Sequence, residues 1–147
     1  TGLKIKIENP YQYKTKGQML QECRNQAILS SYASTTTSCG RYRVHKHKNC
    51  GRCVPCLVRR AAFKRWGKED QTEYKYNDLS IQSDDYSNYD DVRSVAMVIL
   101  EINESGLDAW LGTSLNTALL GDTKDYKATI VEGLNELEDL LKGYNIL

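Results

Sequence analysis

The spacing of apolar residues predicts a mostly α-helical chain with one small β element near its N-terminus. Residues 3–7 alternate apolar and polar side chains, which is the pattern of a half-exposed strand, and an Asn-Pro step ends the segment. A capping-box sequence then begins at Thr15, and apolar residues recur at helical spacing over 16–29. We therefore expect a strand and then a helix, with Cys23 on the buried side of that helix.

A second helix is predicted from Cys56 to Trp66. Pro55 suits its first turn, and Gly67 is a suitable C-cap. Its apolar and charged residues fall on opposite sides. The expected packing side consists of Leu57, Ala61 and Ala62, and the expected exposed side of Arg59, Arg60, Lys64 and Arg65.

Three more helices are predicted after a polar, Tyr-rich connector over 68–87. The first follows a cap at Asn88 and stops by Gly106, and the last runs from near Thr123 to Gly143. The helix between them is marked by Leu107, Trp110, Leu111, Leu115 and Leu119. Their apolar stripes predict the core of a C-terminal helical bundle.

Charge is distributed in blocks, although the net charge is only +1 and the charged share of 27% is ordinary. Residues 1–22 carry four Lys and two acids, 23–68 carry eleven Lys or Arg and no acid, and 69–147 carry five Lys or Arg and seventeen acids. A block of one sign creates a local potential whatever the total. The basic block therefore faces either a phosphate-bearing ligand or the acidic part of the same chain.

Four of the five cysteines have a metal-binding spacing, C-x10-C-x2-C-x2-C. They are Cys39, Cys50, Cys53 and Cys56. Overlapping C-x2-C steps can place several sulfurs on one ion, and a full set of four thiolates is typical of structural zinc. Gly51 offers a permissive backbone for the turn, and Arg52 offsets thiolate charge.

Other interpretations of the cysteines remain open. An iron–sulfur cluster uses similar spacing, and the thiols could also be free or redox-active. His45 and His47 could each replace a cysteine as ligand. The odd number of cysteines favours a reducing compartment, and no apolar run reaches the roughly 20 residues that cross a bilayer. We therefore expect a cytoplasmic protein with no membrane partner.

Catalytic motifs are scarce in this chain. Neither Gly-rich phosphate-binding pattern, G-x4-G-K-[ST] or G-x-G-x-x-G, appears, and there is no G-x-S-x-G turn. Both histidines lie in the basic block. We therefore predict no catalytic residue in the chain.

The order of motifs from Asn9 to Arg60 resembles the C-terminal portion of 7-cyano-7-deazaguanine synthases, the QueC-like enzymes. A Thr-Lys step opens a helix, and a Ser-Cys step and then a C-G-x-C-x-x-C-x-x-R cluster follow in the same order as in that family. These motifs are Thr15-Lys16, Ser38-Cys39 and the run from Cys50 to Arg59.

The resemblance implies a PP-loop ATPase with a Rossmann-like α/β fold. Such enzymes use ATP, Mg²⁺ and ammonia to convert 7-carboxy-7-deazaguanine to its nitrile, in the queuosine pathway. It also implies zinc on the four cysteines, and substrate contacts at Lys16 and Arg59. The S-G-G-x-D-S motif of the family is absent, so the chain is expected to be an excised portion of a larger enzyme, inactive alone. The long helical tail favours the phage-defence-associated QatC-like branch.

The expected organisation is a QueC-like zinc-binding region over 1–68 and an acidic helical extension over 69–147. The expected partners are the deazaguanine substrate in the full-length protein and a second copy in a homodimer. An alternative function is a zinc knuckle that binds nucleic acid through the basic segment 41–68, where aromatic residues are interleaved. A third is an interaction module within a defence complex.

Overall fold

The computed structural model describes residues 2–81, 91–112, 114–115 and 123–147, and within them it is helical, as predicted. The helices are α1 (Lys16–Glu22), α2 (Gln26–Tyr32), α3 (Val54–Trp66), α4 (Asp91–Ser105), α5 (Leu107–Leu111) and α6 (Lys124–Lys142), with a 3-10 turn at Ala33–Thr35. The predicted cap Asn88 and the stripe residue Leu119 lie outside the described residues.

The strand predicted at residues 3–7 is wrong. Residues 2–9 have no regular secondary structure, and Leu3, Ile5 and Ile7 are all highly exposed. An alternating segment becomes a strand only when another strand satisfies its backbone groups. Within the described part of the chain, the only β pairing is the isolated bridge between Asn49 and Tyr74.

The first predicted helix is interrupted. Thr15 forms the expected capping box with Gln18 and starts α1. The helix then ends at Glu22, and Asn25 caps α2 by accepting a hydrogen bond from the amide of Ile28 at 3.1 Å. Cys23 lies at this break and is partly exposed, so its predicted place in the core is wrong.

Helix α3 ends at Trp66 as predicted, but it begins at Val54 rather than Cys56 and has a different exposed side. Cys53 is its N-cap, Pro55 lies in its first turn, and Gly67 ends it with a left-handed φ of 74°. Arg59 and Arg60, predicted to face solvent, are only 5% and 8% exposed. They are buried because α3 is central and α1 and α6 pack on it. Residues 68–79, which we call the strap, also accept hydrogen bonds from both guanidiniums.

The main hydrophobic core joins α3 to the C-terminal helices. Its buried members are Leu57, Ala61, Leu79, Val92, Val95, Ala96, Ile99, Leu137, Leu140 and Leu141. Residues before and after the proposed boundary at 68/69 therefore bury apolar surface together, which is the main favourable contribution to folding. The division into two regions stays a prediction.

Polar contacts also join the basic block to the acidic extension. Arg65 on α3 pairs with Glu132 at 2.8 Å and with the buried Glu136 at 3.0 Å, and Glu136 accepts a hydrogen bond from Thr15. A Cβ on Gly17 would lie 2.5 Å from the Arg65 side chain, so α1 packs closely against this ion pair. Neutralisation within the chain thus accounts for part of the basic block. No helix of the described residues has the length and apolar character needed to cross a bilayer.

Candidate metal centre

The four cysteines of the predicted set lie together in space. Their sulfur atoms all lie within 4.8 Å of one another, and the Cys50–Cys56 and Cys53–Cys39 sulfur pairs are each 3.9 Å apart. Disulfide sulfurs would be about 2.05 Å apart, so these thiols are unbridged. Four thiol groups at this separation can act as ligands of one metal ion.

Two segments of backbone deliver the four sulfurs. Cys39 comes from the loop after the 3-10 turn, whereas Cys50, Cys53 and Cys56 lie on the turn that leads into α3 and on its first turn. Cys56 is at the helix N-terminus, where the helix dipole favours a thiolate. The sequence predicted Cys56 at the start of this helix, and the structure places it in the first turn.

Backbone amides point at the sulfurs. The amides of Arg41 and Cys50 both donate to Cys39 Sγ at 3.3 Å. The amides of Arg52 and Cys53 donate to Cys50 Sγ at 3.4 and 3.3 Å. Such donors stabilise negative charge on sulfur, so they favour the thiolate form that a metal ion requires.

Hydrogen bonds among the thiols shift their pKa values in opposite directions. Hydrogen bonds from Cys50 and Cys56 lower the pKa of Cys53. Hydrogen bonds to Cys50 and Cys53, with burial, raise the pKa of Cys56, and the bond to Cys53 raises that of Cys50. Of these three cysteines, Cys53 therefore ionises most readily, and a cation at the centre would favour ionisation of the other two.

Gly51 shapes the turn between the first two ligands of the C-x2-C-x2-C run. Its φ is +88°, and an added Cβ would lie 2.5 Å from the carbonyl oxygen of Tyr76 and 2.6 Å from Arg60 Nη2. The turn from Cys50 to Cys56, which we call the knuckle, therefore packs closely against the strap. The amide of Tyr76 donates a hydrogen bond to the Cys50 carbonyl at 3.1 Å. Only glycine combines this φ with so close an approach.

The strap also covers the cysteines with aromatic rings, which the sequence prediction missed. Tyr74 and Tyr76 pack against the cysteine cluster. The Arg60 guanidinium lies over the Tyr74 ring at 3.9 Å. Burial raises the pKa of the Tyr74 hydroxyl, and its hydrogen bond to Asp70 raises the pKa further. The ring that covers the cysteines is therefore neutral. Tyrosines at alternate positions in the predicted connector were the sequence feature that could have indicated this aromatic cover.

Asp91 is a second residue that the prediction did not connect with the site. One of its carboxylate oxygens accepts from the amide of Val54 at 2.9 Å, and the other lies 3.4 Å from Arg41 Nη2. The first residue of α4 thus caps the N-terminus of α3 and pairs with the loop after Cys39.

The two predicted substrate contacts lie in different environments. Lys16 is exposed, and its Nζ lies 3.4 Å from Ser38 Oγ, beside Cys39. Arg59 is buried and donates to Thr36, Thr72 and the carbonyl of Ala33. Their roles in substrate binding stay predictions.

The two histidines are outside the group of sulfur ligands. The metal-capable cluster found among the described residues contains cysteines alone. Burial lowers the pKa of His45, and the charges of Lys75 and Arg41 lower it further, so its imidazole is neutral near pH 7. His47 packs edge-on against Tyr42, with ring centroids 5.4 Å apart.

These features define a helical protein with a four-cysteine centre that could bind a metal. Residues 1–67 match the family model described as Queuosine biosynthesis protein QueC, and this match contains all four cysteines. It supports placing that segment in the QueC-like family, as the motif order predicted. No curated protein and no solved structure matches the chain significantly.

Proposed function

We propose that this chain is the zinc-binding C-terminal region of a QueC-like, ATP-dependent 7-cyano-7-deazaguanine synthase. The observation that carries the proposal is the coincidence of the QueC match over residues 1–67 with a closed set of four cysteine sulfurs in the same segment. ATP, Mg²⁺ and the S-G-G-x-D-S motif belong to a separate half, so this chain alone is inactive.

The sulfur spacing favours one zinc ion over an iron–sulfur cluster. With Zn–S bonds near 2.3 Å, tetrahedral geometry places thiolates about 3.8 Å apart. Two of the six sulfur pairs are 3.9 Å apart, and all four sulfurs lie within 4.8 Å of one another. A cluster would place several iron and sulfide atoms between its four thiolates, which requires wider separations. Because four thiolates fill the tetrahedron, no position is left for water, and the role of the ion is structural.

Lys16 is the better placed of the two proposed substrate contacts. It is exposed at the start of α1, beside the segment that carries Cys39, and its charge suits the carboxylate of 7-carboxy-7-deazaguanine. Arg59 contributes differently, because its guanidinium is occupied by the strap residue Thr72 and by Thr36. We propose that Arg59 positions the loop before Cys39.

The coding sequence upstream of Thr1 and an assay of its product test this function. We expect an in-frame S-G-G-x-D-S motif, and a longer zinc-bound protein that forms the nitrile from 7-carboxy-7-deazaguanine, ammonia and ATP, as measured by mass spectrometry. Lys16→Ala should reduce turnover, whereas Lys4→Ala, an exposed control, should not. Absence of the motif, or a zinc-bound longer protein with no turnover, would contradict the proposal.

A further inference from the structure

Five of the eleven cations of the basic block are engaged in contacts within the fold. Arg52, Arg59 and Arg60 are buried, Arg65 pairs with two glutamates, and Lys64 donates to a carbonyl of α6. Phe63 and Trp66 are buried as well. The basic side of α3 is therefore not a surface that could bind a large anionic partner.

The remaining charge is concentrated on residues 41–48, which we call the tip loop. Arg43, Lys46 and Lys48 are all exposed there. Among the residues that the structure describes, the acids that face the loop are Glu73, 3.8 Å from Lys48, and Asp91, 3.4 Å from Arg41. The Lys48–Glu73 pair is largely exposed on both sides, so it neutralises little charge.

The tip loop has a defined shape. Cys39 and Cys50 close its base, and four backbone hydrogen bonds between residues 41 and 48 hold it. Lys46 and His47 both have left-handed backbone angles, with φ of 52° and 63°. Two consecutive non-glycine residues in this region are costly, and such strain is concentrated at functional sites.

Neighbouring residues of the strap extend the positive surface. Lys75 Nζ lies 3.4 Å from His45 Nδ1 and 4.8 Å from the centroid of the Tyr76 ring. The His45 ring in turn packs edge-on against Tyr76 at 5.9 Å. Lys75 therefore adds a cation beside the tip loop, next to the His45 and Tyr76 rings.

We infer that the tip loop binds the phosphate backbone of a nucleic acid, an activity separate from the proposed synthase function. Arg43, Lys46 and Lys48 are exposed along a loop, which suits an anion whose charges repeat along its length. A single small phosphate is bound instead by donors that converge on one point. The proposed phosphate contacts therefore lie in residues 41–48, the first eight residues of the basic segment 41–68.

The test is fluorescence anisotropy of the metal-loaded chain with a labelled DNA single strand, a DNA duplex and a transfer RNA, between about 50 and 200 mM salt. The variant Arg43→Ser, Lys46→Asn, Lys48→Ser removes three charges, and asparagine tolerates the left-handed angle at 46. We expect at least a tenfold loss of affinity at low salt. The salt slope should fall by about 2–3, since each contact contributes about 0.7–0.9.

The matched control is Lys124→Ser, Lys127→Ser, Lys142→Ser, which removes the same charge from α6. It should keep the affinity and salt slope of the unmodified chain within about twofold, because α6 belongs to the acidic extension. The single variants Arg43→Ser and Lys46→Asn should each lower the slope by about 1, which separates the result from any folding defect of the triple variant. Absence of binding at low salt, or equal losses in both triple variants, would overturn the inference.

Discussion

Arg60 donates a hydrogen bond from Nη1 to the hydroxyl of Tyr144 at 3.1 Å. Arg60 lies within the residues that match QueC, and Tyr144 lies near the end of the helical extension. The same guanidinium donates to the carbonyls of Tyr76 and Asn77 at 2.7 and 2.8 Å. One buried side chain thus connects α3, the strap that covers the cysteines, and the C-terminus.

Tyr144→Phe should lower the free energy of unfolding by roughly 1–2 kcal/mol, because it removes one hydrogen bond to a charged group and keeps the ring. Urea unfolding followed by circular dichroism measures the change. Tyr32→Phe is the control, since Tyr32 is 64% exposed, and it should leave the curve unchanged. Equal stability of the two variants would show that the Arg60–Tyr144 bond contributes nothing.

Gly51→Ala should destabilise the chain by more than about 1 kcal/mol, since a Cβ at φ +88° is strained and would contact the Tyr76 carbonyl at 2.5 Å. The apparent zinc affinity, measured by competition with a chelator, should fall as well. Gly2→Ala is the matched control, because nothing lies within 4 Å of its added Cβ. If Gly51→Ala behaves like Gly2→Ala, the turn between Cys50 and Cys53 is not held as described.

Cys53→Ala should abolish metal binding and unfold the knuckle. Structural zinc contributes on the order of 10–16 kcal/mol in small peptides at neutral pH, and three thiolates leave the tetrahedron open. Cys23→Ala is the control, because this cysteine is outside the cluster and partly exposed. Thermal melting and zinc content should distinguish the two variants clearly. An unchanged melting curve for Cys53→Ala would argue strongly against a structural site.

Metal binding should release protons and weaken as pH falls. The pKa values of Cys50 and Cys56 are raised, so both are thiols near neutral pH in the metal-free chain and must lose their protons when zinc binds. Hydrogen bonds from Cys50 and Cys56 lower the pKa of Cys53, so this cysteine contributes less to the release. Below neutral pH, protons compete with zinc for the sulfurs, and the stability that zinc adds is lost.

Adding zinc to the metal-free chain in weak buffer measures this release directly. At pH 7 we expect at least the two protons of Cys50 and Cys56 for each zinc bound. Release of fewer than two would show that these thiols are already ionised. Calorimetry in buffers of different ionisation enthalpy gives an independent value.

Local signals in the sequence were sufficient to predict α3 and the cysteine set. Pro55 and Gly67 mark the ends of α3 because their backbone preferences act on the residues next to them. The capping box at Thr15 is local in the same way. The cysteine spacing predicted the ligand group because metal geometry restricts which residues can share an ion.

The burial of Arg59 and Arg60 could not be predicted in this way. Their guanidiniums donate to acceptors that are distant in sequence, such as the carbonyls of Ala33 and Asn77. Helical periodicity identifies a charged residue but not the loop that will cover it. The strand prediction for residues 3–7 was wrong for a related reason, because a strand needs a partner strand that its own sequence does not specify.

Metal analysis of the purified chain tests the central claim most directly. Mass spectrometry of the metal content should give one equivalent of zinc, and replacement by cobalt should give the absorption spectrum of a tetrahedral four-thiolate ion. A brown, iron-bearing protein, or a folded chain with four freely titratable thiols and no bound metal, would contradict it.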